Sequence, residues 1–187
     1  MPRVKPLERG DADAATRDEL DRIAAAHGRV TNMKQTLAHE PVALEALMEW
    51  YPLREIVVEF LGERATLLFV HAISRQTDCL ICSTFFRRIL IDSGEDPDAL
   101  DLNDWEGTIV ELGRQLVRDA NNVGDELYAR LAARLAPRQI VALIAFGGLM
   151  IATNVFNNAL RVELDEYLVP YRAAADAETA TGVATEP

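Results

Sequence analysis

Apolar positions recur along this chain at spacings of three and four residues, and no convincing set of period-two runs competes with them. The run RDELDRIAAAHG after Thr16 sets Leu20, Ile23 and Ala24 on one face and stops at Gly28, a C-terminal helix signal. Thr31 then caps a short helix through NMKQTLAH, and Pro41 opens PVALEALMEWY, where Val42, Leu44, Ala46, Leu47 and Trp50 form an apolar face. Pro52 is expected to end that helix. The β-branched run REIVVEFLG would suit a strand, but it has no partner strand and reads as helix.

Gly62 breaks the pattern, and ERATLLFVHAISRQ predicts a helix from about Glu63 to Gln76. Thr77 or Asp78 is the expected N-cap of the next, from Cys79 to about Ser93, with Gly94 closing it. After the turn-rich GEDPDALDLND, Asn103 or Asp104 caps a helix from Trp105 to about Asn121. DELYARLAARL predicts a further amphipathic helix, and Pro137 opens a long one reaching about Arg161. The pattern amounts to about eight helices with no credible sheet and no tandem repeat. Residues 1–28 are expected as an arm and a helix, 29–168 as the main domain, and 169–187 as a disordered tail of small and polar residues.

Ile140 to Phe156 is apolar almost throughout, yet falls short of a usual membrane span and carries Gly147, Gly148, Thr153 and Asn154. It reads as a central core helix, to be wrapped by other helices or by a partner subunit, and no membrane association is expected. At 187 residues, with 49% hydrophobic and 26% charged positions, the chain can bury a sizeable core without a metal or disulfide staple. A formal net charge of -11 and the lack of a basic stripe argue against a nucleic-acid partner. The first residues lack the apolar core of a secretory signal, which points to a cytoplasmic protein.

In a reducing compartment the only two cysteines, spaced Cys79-x-x-Cys82 within DCLICSTFF, are more readily reactive, metal-binding or buried than permanently bridged. In the first turn of a helix, unsatisfied amides and the helix dipole favour thiolate, while Asp78 opposes it. The competing reading makes both cysteines small buried hydrophobes. A zinc site lacks a full ligand set, so neither metal nor cofactor is expected. The thioredoxin fold needs strands and is disfavoured.

ERATLLFVHAIS, RQTDCLICSTFFRR and the later TNVFNNALRVELD together resemble the carboxymuconolactone decarboxylase superfamily in its alkylhydroperoxidase D-like branch, over about Arg29 to Leu168. The resemblance implies an all-α alkylhydroperoxidase D-like helical bundle and an obligate homo-oligomer, commonly a trimer or hexamer. It also implies that Cys82 attacks a peroxide or disulfide, that Cys79 resolves the product as an internal disulfide, and that a thiol reductant protein restores the pair. The branch carries a glutamate twelve residues before its first cysteine and a histidine four after its second, where this chain has Leu67 and Phe86. His71, one helical turn beyond Leu67, is the candidate replacement base, with a buried histidine bonded to backbone as the alternative.

Arg75, a further turn along, could lower a thiolate pKa or be a solvated ion-paired side chain. Asn154, Asn157, Asn158 and Arg161 form a polar stripe that reads as a helix end facing water or a subunit boundary rather than a pocket wall. Trp50 and Trp105 read as core or interface anchors, and His27 and His39 as surface residues. Three functions follow: a thiol-dependent oxidoreductase at Cys82, Cys79 and His71; a cofactor-free decarboxylase or lactone-processing enzyme; or a non-catalytic oligomeric binding protein.

Overall fold

A cap or a breaker stands at most helix ends where the pattern places one. The computed structural model describes residues 1–173 and is helical throughout its regular structure, with no strand among the described residues. The order is α1 (Ala14–His27), α2 (Asn32–Leu37), α3 (Pro41–Met48), α4 (Trp50–Leu61), α5 (Glu63–Gln76), α6 (Leu80–Asp92), α7 (Asp104–Asp119), α8 (Asp125–Ala132) and α9 (Pro137–Leu160). Short 3-10 turns cover Ala120–Asn122 and Glu166–Tyr171. Asp13 accepts the Thr16 amide to start α1, and Gly28 ends it at φ 76°, a left-handed value that glycine adopts without strain. Asn103 and Glu106 close a capping box at the start of α7.

Two predicted boundaries move. Pro52 does not end a helix: Glu49 alone separates α3 from α4, and Pro52 sits in the first turn of α4, where the missing amide has no intrahelical partner to lose. Neither Thr77 nor Asp78 caps α6. Asp78 takes φ 52° and reverses the chain, the Cys79 amide donates to the Ser74 carbonyl at 3.1 Å, and Cys79 itself becomes the N-cap residue.

The central helix is α5, not the apolar α9. From Ala65 to Ser74 every α5 side chain except Leu67 is buried, and α5 packs against α4, α6, α7 and α9. Phe69, fully buried, lies between two close backbone approaches. A Cβ on Gly113 of α7 would stand 2.9 Å from the Phe69 carbonyl oxygen, and one on Gly147 of α9 would stand 2.9 Å from the ring. Glycine at both positions lets α7 and α9 close on α5 at a distance that any side chain would widen.

α9 packs on α3, α4, α5, α7 and α8, yet it leaves an apolar strip in solvent: Val141 is 69% exposed, Val155 58% and Ile144 37%. By length and composition it is the one helix among the described residues that could cross a membrane, but its buried side holds Phe146, Met150, Asn154 and Asn157 within the protein. A second small core joins Leu20 and Ile23 of α1 to Leu37, Ala38 and Leu44. The N-terminal arm straps the end of α9, with the Arg3 amide and guanidinium donating to the Leu160 and Ala159 carbonyls at 2.8 Å. At the other end, Leu168 and Ala173 are buried, and the tail expected from 169 lies outside the described residues from 174 onward.

Candidate functional site

The short reversal between α5 and α6 brings the cysteines against the last turns of α9. Asn154, fully buried, donates to Thr77 Oγ1 at 2.7 Å, and Asn158 donates to the Thr77 carbonyl at 2.9 Å. Thr77 in turn donates back to the α5 carbonyls of Ile73 and Ser74. These bonds hold the turn that carries Cys79 and Cys82. Asn157, 2% exposed, lies one turn along α9 from Asn154 and directs Nδ2 at Cys82 Sγ, 3.3 Å away. The asparagine stripe therefore faces neither water nor a subunit boundary at these positions; Asn154 and Asn157 are the polar frame of the cysteine turn. Their i, i+3 spacing within an apolar helix was the available signal.

Both cysteines are free thiols and buried. The hydrogen bond from Cys82 lowers Cys79 below the usual thiol range, aided by the first-turn amides of Cys82 and Ile81 and opposed by burial. No side-chain capping bond forms at Cys79, and the neighbouring thiol is the larger influence. Cys82 is raised well above the usual range by that same bond, by burial and by the charge on Cys79, against the opposing effect of Asn157. Of the two thiols, Cys79 is therefore the more acidic and Cys82 the less.

Cys82, rather than Cys79, lines a cavity of about 90 Å³ between α2, α4, α6 and α9. The wall is mostly apolar, with Met33, Trp50, Phe85, Phe86 and Met150 around the thiol. Two charged residues reach it that the sequence pattern did not single out, Lys34 on α2 and Asp165 beyond α9. Asp165 accepts the Asn32 amide at 2.9 Å and so pins the start of α2 to the segment after α9. Burial pulls Lys34 down to about 8, opposed by Asp165. Burial in turn holds Asp165 above the usual carboxylate range. Nothing in a six-residue helix marks Lys34 as buried, because its burial depends on the packing of Tyr51 and the Asp165 segment around it.

Phe86 and Trp50 also border a second cavity, of about 530 Å³, whose floor includes Leu67, Val70 and Ile89. The two positions where the resemblance would place a glutamate and a histidine, Leu67 and Phe86, thus meet at one apolar wall. His71 is buried, lines neither cavity, and no hydrogen bond joins it to either cysteine. Its Nε2 has no partner among the described residues, and burial brings it down to about 4, with Arg75, Arg87 and Arg114 pushing the same way and Asp98 opposing. Trp50 is a cavity wall as well as an anchor, 5.3 Å from Phe146 and 6.2 Å from Phe86 between ring centres. His27 stacks on Tyr51 at 3.9 Å, and His39 meets the Lys5 carbonyl. No group of three or more metal-ligating side chains occurs among the described residues.

No family model matches the sequence, and no curated protein matches it either. The fold does have counterparts among solved structures. One is an uncharacterized peroxidase-related protein from Ralstonia eutropha JMP134, described as an alkylhydroperoxidase AhpD core, with a TM-score of 0.70 at 15% identity over 89% of this chain and 94% of that one. Another is an uncharacterized peroxidase-related protein from Silicibacter sp. TM1040, with a TM-score of 0.68 at 14% identity over 88% of this chain and 93% of the other. At that identity the likeness is one of fold, and the fold is the all-α alkylhydroperoxidase D-like bundle.

Proposed function

We propose that this alkylhydroperoxidase D-like chain is a thiol-dependent oxidoreductase that reduces a peroxide or a disulfide at Cys82, with Cys79 as the resolving thiol. The observation that carries the reading is the Asn157 Nδ2 donor 3.3 Å from the cavity-lining Cys82 sulfur, beside a hydrogen-bonded second thiol. The Asn157 donor opposes the rise that burial and Cys79 impose on Cys82 and would stabilise negative charge as it develops on that sulfur. Both structural counterparts are described as peroxidase-related proteins, which supports the same reaction class.

The pair supplies its own proton handling. The pair enters the step with Cys79 ionised and Cys82 protonated; the Cys79 thiolate takes up the Cys82 proton as the Cys82 sulfur attacks the outer oxygen of a hydroperoxide, so the attacking thiolate forms only transiently. The O–O bond breaks, Cys82 becomes a sulfenic acid, and the departing alkoxide takes the proton from Cys79. The Cys79 thiolate then attacks the sulfenic sulfur, releasing hydroxide and closing the internal disulfide. With a disulfide substrate, the Cys82 thiolate forms a mixed disulfide as one substrate thiolate leaves, and Cys79 then attacks the Cys82 sulfur, closing the internal disulfide and expelling the second substrate thiolate. A dithiol reductant protein returns the pair to thiols, and a reducing cytoplasm suits that cycle. His71 enters as a buried neutral residue outside this relay.

Self-association belongs to the same reading. Val141, Gly148 and Val155 recur every seven residues on the exposed side of α9, with Ile144 between them, a pattern that fits a second copy of the same helix.

The deciding experiment treats the folded chain with tert-butyl hydroperoxide and follows its mass. The wild type is expected to lose two hydrogens as Cys79 joins Cys82. Cys79→Ser should stop at a Cys82 sulfenic acid that dimedone traps, and Cys82→Ser should remain unchanged. Wild-type thiols that survive both excess peroxide and excess oxidised dithiothreitol intact in the folded protein would rule the proposal out.

A further inference from the structure

Lys34 is 3% exposed, and no hydrogen bond or salt bridge reaches its Nζ among the described residues. An ammonium carries three donors and no acceptor, so burial without partners is unfavourable. The ring of Tyr51 is 5.1 Å from Nζ. Asp165 is the oppositely charged neighbour, but its Oδ1 is engaged by the Asn32 amide and it forms no salt bridge with Lys34. Lys34 and Cys82 line one cavity from different elements, α2 and α6, and the surface between them is almost entirely apolar. An apolar chamber with an ammonium at one side, met by a ring and a carboxylate that is not bonded to it, and a thiol at the other has the form of a site that orients a small anion.

We propose that the cavity binds a small organic molecule bearing one carboxylate, which Lys34 anchors so that the reacting atom of the same molecule meets Cys82. The inference rests on Cys82 as the reacting thiol and adds the substrate class. A monoanionic carboxylate adds one negative charge beside Lys34 and Asp165, whereas a dianionic phosphate would add two. The start of α2 offers no alternative anchor, because Asp165 already occupies its first amide. The other charged or titratable groups around the cavity leave Lys34 as its cation: Tyr51 and Tyr167 are both raised above their usual range by burial, and Arg29 is stacked on the Tyr167 ring.

Iodoacetate and iodoacetamide share a leaving group and nearly a shape but differ by the carboxylate, so their rate ratio at Cys82 reads the charge of the cavity. The ratio is measured on the full chain by mass spectrometry of the Cys82 peptide. It is expected to fall about tenfold or more in Lys34→Met, the scale of a lost charge-assisted hydrogen bond, and to be largely retained in Lys34→Arg. A second arm needs no reactive thiol: benzoate binding to the Cys79→Ser/Cys82→Ser chain, followed by calorimetry, should vanish in Lys34→Met. A ratio that Lys34→Met leaves unchanged, or no benzoate binding while Cys82 alkylates readily, overturns the anion site and leaves the oxidoreductase reading standing. Inert thiols with Lys34-dependent benzoate binding support the anion site and remove the redox reading instead.

Discussion

Cys79 and Cys82 are alike in sequence and burial but opposite in acidity, because they share one hydrogen bond and one charge. The rate of alkylation against pH should therefore show two well-separated ionisations in the wild type, the first on Cys79, and one in either Cys→Ser variant. A single step in the wild type at the ordinary thiol position of about 8.5 would mean the sulfurs do not interact. His71 gives a second signature. Its folded pKa of about 4 lies below the unfolded 6.5, so between those values the unfolded chain binds the extra proton. Stability is then fully present above 6.5 and falls as the pH drops toward about 4, by about 3 kcal/mol at most. Arg75, Arg87 and Arg114 deepen the loss and Asp98 moderates it. Urea denaturation at a series of pH values should show this slope in the wild type and lose it in His71→Leu. Lys34 acts in the opposite range: its folded pKa near 8 is below its ordinary value, so stability from this residue should rise as pH climbs from 8 toward 10. Lys34→Met should remove that rise.

At the scale of one element, α7 carries two glycines with opposite consequences. Gly107 has nothing within 4 Å of a built Cβ, so Gly107→Ala should stabilise the protein by about 0.5–1 kcal/mol through helix propensity alone. Gly113 faces the Phe69 carbonyl oxygen at 2.9 Å, and backbone cannot swing aside as a side-chain tip can. Gly113→Ala should destabilise by about 1–3 kcal/mol despite the same gain in propensity. Thermal or chemical denaturation of the two variants checks the difference in sign. The helix pattern alone could not distinguish these positions, since both are glycines inside one amphipathic run. The ends were more legible: Asn103 with Glu106, Thr31 and Gly28 act through groups adjacent in sequence. Pro52 misled because a proline stops a helix in its interior but is tolerated in the first turn, and a second helix starting two residues earlier leaves no mark in the apolar spacing.

Across the whole molecule, an apolar composition pointed to α9 as the core, whereas burial on all sides belongs to α5. α5 sits amid four packed helices, while α9 keeps Val141, Ile144 and Val155 in solvent. If that strip joins copies of the chain, Val141→Glu together with Val155→Glu should reduce the molecular mass measured by light scattering to that of one chain, without changing helicity. A wild type that is itself monomeric at high concentration would exclude α9 as an interface.

What the sequence determined by itself was set by neighbours along the chain: an all-α composition, most helix limits, and two thiols spaced to share one turn. The spacing also favoured a cysteine pair near a helix start, because backbone geometry makes i and i+3 adjacent. The tertiary structure decided which groups surround that pair. Asn157 reaches Cys82 across 75 residues of sequence. Lys34 enters the same cavity because Asp165 pins the start of α2, and His71 does not line it, on a helix that otherwise looked well aligned. Distances between remote segments follow from close packing of whole helices, including the approaches that Gly113 and Gly147 permit, and periodicity along one helix carries no record of them.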